Sequence, residues 1–154
     1  MFIVTAKVPE RRGVLLGALV VLAALAAALL LRGRSAAAEP DALRAETNAA
    51  RVAYLASLGW EAEEEPIEAL LVALPGEMVE PYRSYNDLQL RQGFDLTPYL
   101  GETLERYTYA VRNYPGRPRG CQADLYLSGG RIVAGDIVCS GSDGFIAPLE
   151  FPRE

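Results

Sequence analysis

The chain has 154 residues, a formal net charge of −5, two cysteines and no histidine. The missing histidine excludes Ser-His and Cys-His nucleophile pairs, imidazole metal ligands and a histidine general base, and two cysteines alone do not complete a structural zinc site. Residues 1–34 carry five basic groups against Glu10, whereas residues 39–154 carry ten arginines against nineteen acids; a domain that acidic lacks the basic footprint of a nucleic-acid binder.

Residues Gly13 to Leu31 form an unbroken apolar run of 19 residues, with Arg11 and Arg12 before it and Arg32 and Arg34 after it. At about 1.5 Å per helical residue the run covers roughly the 30 Å hydrocarbon core of a bilayer, and it is expected to be a transmembrane helix in contact with lipid. Lys7, Arg11 and Arg12 outnumber Arg32 and Arg34, which favours the N-terminus inside and the remaining chain outside. A cleaved signal peptide ending at Ala36-Ala37-Ala38 is the competing reading. Against it, the run exceeds the roughly 7–15 residues of an h-region, and two arginines precede the site. Gly13 and Gly17 make a small-xxx-small pattern through which two spans can approach, giving a candidate weak homodimer contact. The expected organisation is a cytoplasmic tail at 1–12, a span at 13–31, a linker at 32–40 and an extracytoplasmic domain at 41–154.

Within that domain, Asp41 suits a first helical turn, and Leu43, Val52, Leu55 and Leu58 recur near helical spacing up to Gly59. This predicts a helix over 41–58 with Arg44, Glu46 and Arg51 on its surface. Ile67 to Leu74 reads as extended chain, after an acidic stretch (Glu61, Glu63, Glu64, Glu65) expected to be a solvated edge or loop. Met78, Tyr82, Tyr85, Leu88 and Gln92 predict a second helix over 78–92 whose aromatic stripe packs on a sheet. Phe94 to Gly101 is a turn-rich connector.

Thr103 to Asn113 alternates, with Tyr107, Tyr109 and Val111 on one face and Thr108 and Arg112 on the other, and so predicts a strand. Cys121 to Leu127 alternates again, Ser128-Gly129-Gly130 marks a tight turn, and Ile132 to Cys139 returns. The expected fold is α+β: two helices packed on one face of an antiparallel β-sheet that ends in a three-strand meander.

Cys121 and Cys139 lie near opposite ends of this hairpin. A two-residue turn at Gly129-Gly130 sets Cys121 opposite Val138, one residue out of register. A longer loop, or a bulge at Gly135, brings the cysteines opposite each other. A disulfide is thus permitted but not required, and two buried thiols are the alternative.

There is no C-x-x-C, no P-loop and no G-x-G-x-x-G, so no cofactor is expected. Two carboxylates suffice for some hydrolases. Asp95, Asp124, Asp136 and Asp143 are the candidates, and their spacing selects no pair. Asp124 and Asp136 fall on neighbouring strands and are expected on a solvent-facing surface. Ser140 to Gly144 lacks the alternating acids of a calcium loop and reads as a turn, so no metal site is expected.

The segments MFIVTAK, RVAYLASLGW, YNDLQLRQGFDLTPYLG, ERYTYAVRNYPG and GGRIVAGDIVCSGSDGF resemble the DUF4830 family, bacterial domains of unknown function, over about Met1 to Phe145. The resemblance implies a short cytoplasmic tail, one span and a small outward domain, and carries over no catalytic or binding residue. The expectation is a non-enzymatic accessory domain that binds an envelope protein or peptide, with Tyr99 and Tyr114 in turn-rich loops as candidate contacts. The alternatives are a carboxylate-dependent wall hydrolase and a redox sensor using Cys121 and Cys139.

Overall fold

A computed structural model describes residues 41–152. Among the described residues no helix is long and apolar enough to cross a membrane. The expected tail, span and linker, with Gly13 and Gly17, lie outside them.

The first helix, α1, spans Asn48–Ser57 and starts at Thr47, whose hydroxyl accepts the Ala50 N–H at 3.2 Å. This corrects the expected start at residue 41. Residues 41–46 run along the sheet instead, because their backbone groups find partners there: Ala45 N–H bonds the Gly130 carbonyl and Ile132 N–H bonds the Leu43 carbonyl, each at 2.8 Å. A capping hydroxyl and those inter-strand bonds outweigh weak helical periodicity. The second helix, α2, spans Tyr82–Leu90, followed by a short 3₁₀ turn at Thr97–Tyr99.

Five strands form one antiparallel sheet in chain order: β1 (Glu68–Ala73), β2 (Thr103–Val111), β3 (Cys121–Ser128), β4 (Arg131–Cys139) and β5 (Phe145–Pro148). β5, only four residues long, carries too short a pattern to be read from sequence. Tyr126 opposes Ala134 while Leu127 opposes Ile132, so Val133 is the extra residue of a β-bulge. The bulge therefore sits at Val133 and not at Gly135, and it sets Cys121 opposite Cys139. The two are joined by a disulfide.

The helices lie on opposite faces, which corrects the expectation of one shared face. Leu55 of α1 joins Tyr109, Ala123, Leu125, Ile137 and the disulfide in the larger core. Tyr82 and Tyr85 of α2 pack against Leu104, Val133 and Ala134 in a smaller core on the other face. A sheet covered on both sides needs buried residues at consecutive strand positions, and β4 is buried from Ile132 to Ile137.

Arg51, expected at the surface, is buried in the larger core. Its Nε donates to the Tyr109 hydroxyl at 2.8 Å and its Nη1 to the Ala45 and Glu46 carbonyls at 3.1 Å. The guanidinium lies 3.7 Å from the centre of the Tyr107 ring. These neutral oxygens and the ring quadrupole replace the water it gives up.

Candidate functional site

Side-chain alternation on β3 sends Cys121, Ala123, Leu125 and Leu127 to the larger core and Gln122, Asp124 and Tyr126 to the face under α2. The register then aligns Glu68, Thr108, Asp124 and Asp136 in one row across β1 to β4. Asp124 and Asp136 are direct cross-strand neighbours, 3% and 2% exposed. The expectation of a solvent-facing pair is thereby corrected: α2 covers this face. Directly opposed residues have Cβ atoms about 4.5–5.5 Å apart, close enough for two carboxylates to repel strongly in a dry site.

Each acid has a hydroxyl partner. Thr108 Oγ1 donates to Asp124 Oδ1, and the Tyr85 hydroxyl, reaching down from α2, donates to Asp136 Oδ2. Arg106 lies beside the row and pairs with Glu68. Burial pushes the Asp136 carboxyl up to about 7; the Tyr85 bond lowers it, the Asp124 charge raises it further and Arg106 lowers it. Burial also raises Asp124, against the Thr108 bond and Arg106, with Glu68 adding to the rise. Tyr85 is raised by burial and then by the Asp136 charge, so it stays a proton donor. Near neutrality Asp136 therefore holds its proton for part of the time.

Above this row lies a cleft of about 720 Å³ between α2 and the sheet. Tyr82, Tyr85 and Leu88 line it from the helix, and Val72, Leu104, Val138 and Ile146 from four strands; Arg106, Asp124, Tyr126 and Asp136 are polar groups of the sheet within it, and Ser84 and Arg91 join from the helix side. Two glutamines dock the end of α2. Gln89 Oε1 accepts the Gly135 N–H at 3.1 Å, and Gln92 bridges the Gly135 carbonyl (2.8 Å) and the Leu149 N–H (2.7 Å). These bonds satisfy β4 where its pairing with β5 stops at Asp136 and Pro148.

A second concavity, about 810 Å³, is lined by Glu61 to Ile67 with Ala110 and Arg112. It is larger, but it holds no buried titratable group and is a wide surface groove. The buried carboxyl pair makes the α2 cleft the better candidate for specific recognition.

The other expected residues are dispersed. Asp95 is exposed and its carboxyl sits below the usual range because it accepts bonds from Thr97. Asp143 is exposed and paired with Arg117. Tyr99 packs beside the smaller core, near the start of β2. Tyr114, past the other end of β2, stacks on Trp60 with ring centres 5.9 Å apart. The two tyrosines are not brought together. Both cysteines are buried, which denies their sulfurs the access that a redox sensor needs.

Sequence reasoning missed Tyr85, Arg106, Thr108 and Tyr126 as parts of one site. One signal was present: Asp136 interrupts the apolar run Ile-Val-Ala-Gly-Asp-Ile-Val-Cys, the composition of a strand covered on both faces, where an acid must be buried.

No curated protein and no solved structure matches this chain. The model of the domain of unknown function DUF4830 matches residues 54–137, more than half of the chain and all of the row from Glu68 to Asp136, and the chain belongs to that family.

Proposed function

We propose that the protein is a membrane-anchored, extracytoplasmic, non-enzymatic binding domain, and that the cleft under α2 receives a segment of an envelope protein or peptide. The observation that carries this reading is the cleft: mostly apolar and aromatic walls around a few fixed polar groups, at a volume within the roughly 300–1,000 Å³ of ligand sites. Asp124 and Asp136 are already held by Thr108 and Tyr85, an arrangement suited to orienting a hydrogen-bond donor. The apolar run at 13–31 supports the anchor, and a disulfide fits an oxidising compartment.

Photo-crosslinking in cells tests it. Crosslinkers at Leu88 and Ile146 should each yield the same discrete adduct, and one at Ala53 on the exposed side of α1 should not. Equal capture from all three positions, or none from the cleft, rejects the cleft. Protease digestion of a C-terminal tag in wall-stripped cells tests the topology: a protected tag reverses it.

The opposed carboxyl pair favours a second reading, a carboxylate-dependent hydrolase of wall polysaccharide, with Asp136 as acid and Asp124 as its partner. Purified protein incubated with wall polysaccharide would then release reducing ends, and Asp136→Asn and Asp124→Asn would each abolish release. No release from the unaltered protein removes this reading.

A further inference from the structure

The two edges of the sheet differ in kind. β5 is four residues long and ends at Pro148, a short edge of the sort that resists further pairing. β1 is six residues long, contains neither proline nor lysine, and carries Leu71 at 75% and Leu70 at 44% exposure, with Ile67 at 60% just before it. The Leu74 N–H bonds the Glu102 carbonyl at 2.9 Å, which sets the phase of the β1–β2 ladder. Alternate residues in an antiparallel pair point their backbone groups the other way, so Ala69, Leu71 and Ala73 turn N–H and C=O away from β2. Among the described residues no hydrogen bond reaches those groups. Natural sheets rarely leave such an edge bare.

Charge selects what covers it. Immediately before β1 the acidic groove of about 810 Å³ presents Glu61, Glu63, Glu64 and Glu65, while Glu68 on the strand itself is held by Arg106. Arg112 is the cation of this groove and is already engaged by Glu63. A second copy is a poor occupant, because residues 39–154 carry ten arginines against nineteen acids and bring no excess of positive charge to these glutamates.

We infer that β1 is a strand-addition site for an extended, basic segment of another protein. Its backbone would bond Ala69, Leu71 and Ala73, and its Lys or Arg side chains would meet the acids of residues 61–65. This deepens the binding-domain reading with a second surface, and the crosslinks from Leu88 and Ile146 test the cleft separately.

The test uses the full-length chain and a peptide of alternating valine and lysine, about as long as a strand, with the valine–glutamate peptide as its control. The lysine peptide should bind, more weakly as salt rises, and should slow hydrogen exchange at Ala69, Leu71 and Ala73 by about tenfold or more. Glu64→Lys with Glu65→Lys should weaken binding about tenfold through lost charge complementarity. Leu71→Pro should abolish binding while leaving the β1–β2 ladder intact, since its lost N–H points outward. Should that variant fail to fold, the charge-reversal pair still decides. Equal binding of the acidic peptide, protection elsewhere than β1, or no binding overturns the proposal. Concentration-dependent dimers that already protect these amides would assign the edge to a second copy and overturn it too. So would edge amides protected in the monomer that become exchangeable on deletion of residues 1–40.

Discussion

The two faces of one sheet are built on opposite principles. The face under α1 closes over aliphatic groups, the disulfide and Trp60, whose Nε1 reaches the Leu149 carbonyl at 2.6 Å. Arg51, a charge buried in it, is surrounded by neutral oxygens and an aromatic ring. The face under α2 instead aligns ionisable groups in a row and leaves a cleft above them. Apolar packing stabilises most where nothing must move or bind; a half-filled polar face with raised carboxyl pKa values gives up stability and leaves an open cleft. Side chains alternate along these strands except at the Val133 bulge, so both characters come from the same residues 121–139.

The largest effect should come from opening the filled face. Leu125→Ala is expected to cost about 2–5 kcal/mol, since Leu125 is fully buried between two strands and Leu149, and denaturant melts of the folded domain measure it. A loss below about 1 kcal/mol would mean that this face is loosely packed and would break the contrast.

The polar face should respond to pH. The folded Asp136 pKa of about 7 lies above its ordinary 3.8, so between those values the folded state holds a proton that the unfolded state has released. The contribution of Asp136 to stability is therefore fully present below the lower value and is lost as pH rises to about 7. The limit is about 1.4 kcal/mol per pH unit, or about 4 kcal/mol in all. Asp136→Asn should flatten this slope and raise stability above pH 7, because its carboxamide oxygen still accepts the Tyr85 hydroxyl. Melting temperatures across that window decide; an unchanged slope would assign the dependence to other groups.

Reducing the disulfide, or replacing both cysteines with alanine, should destabilise the domain by about 3 kcal/mol for a loop of 18 residues' separation, measured by the same melts. The cleft walls should keep their shape, since the bond lies in the opposite core. Chemical shifts at Tyr85 and Leu88 that follow the loss would show the faces to be coupled.

The smallest effect sharpens the comparison. Tyr85→Phe removes one hydroxyl and should cost about 1–2 kcal/mol. Because the Tyr85 bond lowers Asp136, its loss should move the Asp136 titration upward, read from the carboxyl ¹³C shift. A downward move would mean that Tyr85 acts chiefly by excluding water.

Much of the fold was legible because periodicity is local. Strict alternation in Thr103–Asn113 and Cys121–Leu127 located two strands, and the Gly129-Gly130 turn located the hairpin. The start of α1 was misplaced because the competing partners of residues 43–45 lie on the β4 hairpin, far along the chain. β5 was missed because four residues with a turn before them carry no usable period. The same limit applied to the site: Asp124 and Asp136 were visible as candidates, but one extra residue at Val133 decides which side chains stand opposite each other.

The sequence by itself determined an acidic α+β domain, its central strands, the absence of histidine chemistry and its family, all properties of composition and short-range pattern. Only the tertiary structure decided that the helices take opposite faces, that β1 has no outer partner among the described residues, and that two acids are buried side by side under Tyr85. The physical reason is that burial and register depend on which distant segment covers a strand. A carboxyl's surroundings, and hence its proton affinity, are set by neighbours from β2, β3 and α2 that no local window contains.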